Sequence, residues 1–140
     1  MAEYTSVAAQ TVTANQNVLF TETPVHGSKC TQHREGSGLV TLRGITNQCK
    51  ARYRVTFGAN IAVPTGGTAG AISIGIALNG EAVPSSIAIV TPAAVAEYFN
   101  VASFIYVDVP VGCCTQLSVK NTSTQDISVQ NANLIVERVA

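Results

Sequence analysis

The chain has 140 residues, of which 46% are hydrophobic, and its eight Lys plus Arg balance eight Asp plus Glu to a formal charge of zero. Charged residues make up 11% of it, against about a quarter of an ordinary soluble domain. With no excess of cations to neutralise phosphates, no basic amphipathic helix and no apolar run near the roughly 18 residues that span a bilayer, neither nucleic acid nor membrane is an expected partner. A neutral surface this poor in charge is expected to associate with copies of itself.

Residues 1–16, rich in Ala, Thr, Gln and Val, read as an N-terminal arm or an edge strand, followed by a single domain over 17–140. The start, Met1-Ala-Glu-Tyr, lacks the basic and apolar segments of a signal peptide, so synthesis in a cytoplasm is expected. Val18–Phe20 and Leu39–Arg43 are short strand candidates, and the polar stretch Glu22–Ser37 between them reads as an exposed loop with a short strand at most. The clearest strand is Lys50–Val63. Its odd positions carry Ala51, Tyr53, Val55, Phe57, Ala59, Ile61 and Val63, and its even positions are mostly polar. Period-two alternation of this kind puts one face in a core. Gly58 is a candidate bulge or bend within it.

After a Gly-rich connection over 64–70, Ala71–Asn79 alternates again, and Asn79-Gly80 predicts a hairpin turn because both residues tolerate positive φ. Its partner around Ala82–Val90 contains Pro84 and so reads as an edge or bulged strand. Pro92–Tyr98 is the one short helix candidate, with Thr91 as N-cap and Pro92 at the first position. Phe99–Val109 is apolar on both faces, since Phe104 and Tyr106 oppose Val101, Ile105 and Val107. Such a strand is expected to be covered on both sides, and a neighbouring subunit could be the second cover. Cys114–Lys120 and the strands within Asp126–Val139 complete the pattern. Eight to ten strands at this spacing predict an all-β, two-sheet antiparallel sandwich or jelly roll.

Candidate chemistry is sparse. In a reducing compartment Cys30, Cys49, Cys113 and Cys114 are thiols by default, and Cys30 with Cys49 is the candidate disulfide once the protein is released. Adjacent Cys113 and Cys114 point to opposite faces of a strand, so a bond between them would be strained. Cys30-x-x-His33 lacks the paired spacing of a zinc ribbon, so no metal or other cofactor is expected. Glu22, Glu35, Glu81 and Glu97 lie in or beside turns and read as solvated charges, and no nucleophile–base signature occurs, so no catalytic residues are assigned. Asn121-Thr-Ser123 matches a glycosylation acceptor.

Gly38-Leu-Val-Thr-Leu, Ala51-Arg-Tyr53-Arg-Val-Thr-Phe57, Ile74-Gly-Ile-Ala-Leu-Asn79-Gly80-Glu81 and the closing Asn131-Ala-Asn-Leu-Ile-Val-Glu137 together resemble the C1q/TNF-like jelly-roll family. The likeness runs over about residues 17–140. Ala51 departs from it, since glycine is frequent at that position, and no Gly-X-Y collagen repeat precedes the domain. The resemblance implies a compact homotrimer packed through one sheet with aromatics at the interface, and Tyr53, Phe104 and Tyr106 are the candidates. It also implies a non-enzymatic structural role. The expected setting is a bacteriophage virion, as a capsid decoration or head-associated protein, with residues 1–16 and the Glu22–Ser37 loop as contacts to the capsid. The alternative is a trimeric surface module, on a phage fibre, a spore or a cell, that recognises a glycan or a host receptor.

Overall fold

The computed structural model describes residues 2–27 and 29–140. Within these residues twelve strands form two antiparallel sheets that face each other. In chain order these are β1 (Ala2–Ser6), β2 (Gln10–Val12), β3 (Glu22–Val25), β4 (Thr31–His33), β5 (Val40–Arg43) and β6 (Lys50–Ala62), then β7 (Ile72–Leu78), β8 (Glu81–Ala82), β9 (Ala88–Val90), β10 (Phe99–Pro110), β11 (Cys114–Asn121) and β12 (Ile127–Arg138). The first sheet runs β10-β6-β12-β1-β3, with β2 also on β12. The second runs β4-β5-β11-β7-β8, with β9 also on β7. The expected all-β sandwich is the observed one.

Alternation assigns the faces. Tyr53, Val55, Phe57 and Ile61 of β6 and Val107 and Val109 of β10 point inwards and meet Leu117, Val119, Ile74 and Ile76 of the second sheet in one continuous core. Burying a side chain of this size contributes about 1.5–3 kcal/mol, which is why parity in the sequence converts so directly into topology. Asn79 and Gly80 adopt φ of 53° and 85°, the left-handed pair of a tight hairpin. The strand that follows is broken by Pro84, as its missing N–H requires. β8 and β9 both pair with β7, and a turn of 3₁₀ helix, Pro84–Ser86, lies between them.

Five expectations are corrected. β6 passes through Gly58 without interruption, in continuous register with β10 from Ile61↔Phe99 to Lys50↔Pro110. The irregularity lies opposite, in β12, where the register slips between Gln130 and Asn133 and Asn131 takes φ 54°. Pro92–Tyr98 forms no helix. Ala96 sits at φ 59° and donates its N–H to Val63 O at 2.7 Å, so a tertiary contact outweighs the propensity of a short alanine-rich stretch. Val18–Phe20 is not a strand, although Val18 and Phe20 are fully buried, while Glu22–Ser37 contributes both β3 and β4. The N-terminal segment is no arm. β1 lies between β12 and β3, and Ala2 and Tyr4 belong to the core.

Candidate functional site: the outer face of the first sheet

The three aromatics expected at an interface separate. Tyr53, at an odd position of β6, points into its own sandwich and is fully buried. Its hydroxyl donates to Arg43 O at 2.6 Å and lies 3.2 Å from Cys30 O, tying the first sheet to the strand ends of the second. Burial, with Cys30 beside it, pushes its phenol up to about 12. Tyr53 therefore offers nothing to another copy and leaves the candidate set. Phe104 and Tyr106, on the opposite parity of β10, are 63% and 60% exposed on the outer face.

Their surroundings follow from register. Tyr106 lies opposite Arg54, which in turn pairs with Glu137 of β12. Phe104 lies opposite Thr56, then Ile135, and Ala102 lies opposite Gly58, then Asn133. At the Tyr106 end the charges are matched within the chain. Arg52 binds Asp108 through Nε at 2.8 Å and Nη2 at 3.2 Å, Lys50 Nζ reaches the same carboxylate at 3.1 Å, and Arg54 reaches Glu137 at 3.0 Å. Hydrogen bonds from Arg52 and Lys50 hold the Asp108 carboxyl down at about 2. At the other end Asn100 is bonded to Asn60 at 3.0 Å, and Asn133, opposite Gly58, donates its amide to the Glu3 carboxylate at 2.6 Å. Arg52 and Asp108 are 56 residues apart in the chain, so no local motif marks their cluster. The available signal was that both occupy outward parity on strands predicted to be long.

The remaining candidates do not converge. Cys49, Cys113 and Cys114 are exposed. Cys30 packs against the core, with Arg138 Nη1 at 3.1 Å from its sulfur. His33 is wedged against Tyr4, ring centroids 4.5 Å apart, with Nε2 at 2.9 Å from Ser37 O, and His26 is exposed. Among the described residues no group of three His, Cys, Asp or Glu side chains is placed to hold a metal. Asn121 is fully buried, and its amide donates to Val12 O and Gln125 O, both at 2.9 Å, so this matched acceptor is closed to glycosylation in the fold. Two open clefts, of about 470 and 490 Å³, are lined by Thr11, Pro64–Gly67, Gln125 and Asp126, and by Ile45–Gln48, Arg138 and Ala140. Neither lining contains an aromatic ring.

No family model and no curated protein sequence matches the chain. Solved structures do. The globular domain of zebrafish complement 1qA protein superposes with a TM-score of 0.55 at 9% identity, covering 96% of this chain and 94% of that one. The PRD1 vertex protein P5 gives 0.48 at 13% identity, covering 99% and 96%. The C-terminal domain of EclA, a sugar-binding protein, gives 0.43 at 17% identity, covering 94% and 79%. At these identities the likeness to the complement domain is one of fold, and the fold is a C1q-like jelly roll.

Proposed function

We propose that this chain is a non-enzymatic structural subunit that forms a trimer through the outer face of β10, β6 and β12 and decorates a larger assembly, with a bacteriophage capsid as its setting. The observation that carries the reading is the exposure of Phe104 and Tyr106, side by side on one face of a chain that has few charges to keep it apart from its copies. An aromatic side chain offers roughly 200 Å², so covering the exposed part of each ring would contribute about 3 kcal/mol, a magnitude that makes leaving both in water costly. The charges beside them are already paired, so a second copy can approach without stripping an isolated ion of its water. A small, charge-poor sandwich that covers itself in this way suits a coat component that must be repeated on a lattice. A glycan-binding role would call for aromatic rings beside a cleft, and the two clefts have none.

The test is the mass of the purified protein by light scattering at micromolar concentration, followed by the doubly substituted Phe104→Ser, Tyr106→Ser protein. The wild type is expected as a trimer and the variant as a folded monomer that no longer occupies phage particles. A monomeric wild type overturns the proposal.

A further inference from the structure

Glycine in the middle of a strand is costly. It gives up more backbone freedom than any other residue and packs nothing, at about 0.5–1 kcal/mol relative to alanine. Two glycines lie inside strands here, and the fold explains only one. At Gly75 of β7 a Cβ would lie 2.9 Å from Ile87 Cγ1 and 3.3 Å from its Cα, so the close pass of the segment before β9 requires glycine. At Gly58 of β6 there is no such demand. Its φ is outside the left-handed region, and a Cβ would meet only Val101 O, at an ordinary 3.8 Å. The bulge of β12 beside it does not crowd it either. Among the described residues of this chain nothing asks for glycine at position 58.

The side on which that space opens is the outer face. Gly58 is directly opposite exposed Ala102, and the pair lies one outward row from Phe104 and Thr56. Outward rows on a strand are about 6.6 Å apart, close to the reach of a phenylalanine ring leaning along the strand direction. The face thus carries a raised ring beside a low floor. A ring-closing trimer joins two different patches of the same surface, one from each neighbour, which is what a projection and a recess displaced along one face provide.

We propose that Gly58 and Ala102 form the seat for Phe104 of the neighbouring copy, so that the interface is built from a ring on one subunit and a bare stretch of backbone on the next. This rests on the reading of the chain as a trimer. It adds which residues meet and why position 58 has no side chain. The matched ion pairs of Arg52, Lys50 and Arg54 lie on the Tyr106 side of Phe104, and the seat lies on the other side, where Asn133 across from Gly58 holds the Glu3 carboxylate at 2.6 Å.

The chain contains no tryptophan, so Phe104→Trp supplies a single reporter. Its emission is expected to be blue-shifted at micromolar concentration and to move to the red on dilution, with light scattering giving the mass in parallel. Gly58→Val, whose β-branched side chain suits an outward strand position, is expected to stay folded by circular dichroism and to raise the dissociation constant about 30-fold or more. Gly58→Trp should do the same more completely. In a double-mutant cycle, Phe104→Ala should cost little further in the Gly58→Val background, because the ring has already lost its seat. A trimer of unchanged affinity in both Gly58 variants, or additive losses in the cycle, overturns the seat and leaves the trimer standing. A monomeric wild type removes the seat together with the reading beneath it.

Discussion

Tyr53 and Tyr106 lie on neighbouring strands, one register step apart, and have opposite fates. Tyr53 faces Val107 across the ladder and is sealed between the sheets, whereas Tyr106 faces Arg54 and stands in water. The same residue type on the same pair of strands is core in one place and candidate interface in the other, and the difference is one step of the pleat. Parity along β6 and β10 is what separates them: Tyr53 shares its side with Val55 and Phe57, and Tyr106 shares its side with Phe104 and Asp108. An aromatic matched to a family pattern has no assigned role until the face it occupies is known.

That contrast can be broken from the inside first. Deleting residues 2–14 removes β1, which sits between β12 and β3, and takes Tyr4 out of the core. Loss of cooperative thermal unfolding is expected, because the term for Tyr4 alone is about 3–5 kcal/mol of a total stability of about 5–15 kcal/mol. A soluble, cooperatively melting deletion protein would restore the N-terminal arm. Tyr53→Ala should cost about 3–5 kcal/mol by denaturant titration, and Tyr53→Phe, which keeps the ring and loses only the hydroxyl contacts, about 1–2 kcal/mol. Tyr106→Ala on the other face should change the stability of the isolated subunit by less than about 0.5 kcal/mol.

A pH titration sharpens the same pair. The Tyr53 phenol is raised in the folded state to about 12, so its contribution to stability is fully present below the ordinary value of about 10 and is lost as pH rises towards 12. Unfolding midpoints should therefore fall between those limits, and Tyr53→Phe should flatten that fall. A profile unchanged by the substitution would show that the phenol is not the group responsible. The smallest effect is expected at Asp108. Its folded value is lowered to about 2, so whatever it adds is present above its ordinary value near 3.8 and is lost as pH falls through about 2. The site is exposed, and Asp108→Asn should leave the melting temperature nearly unmoved at neutral pH.

Much of the sandwich was legible because its signal is local. The alternation of β6 and β7 and the Asn79-Gly80 turn each depend on a few consecutive residues, and each was read from them. The misreadings share a different origin. Ala96 adopts a turn because Val63, 33 residues earlier, accepts its N–H, and no propensity within Pro92–Tyr98 contains that information. Val18 and Phe20 are buried without forming a strand because Val119 O and Ser37 O accept their N–H groups.

Residue order alone settled the class of fold and which side of each long strand is apolar, since side-chain direction alternates with a period that short-range covalent geometry imposes. Which apolar side chains end up dry was decided by the packing of the two sheets. The sandwich has one interior, and once Tyr53 and Val107 fill it, Phe104 and Tyr106 have nowhere inside to go. The vacancy above Gly58 is likewise a property of the assembled ladder, because whether a missing side chain leaves open space depends on what stands across from it.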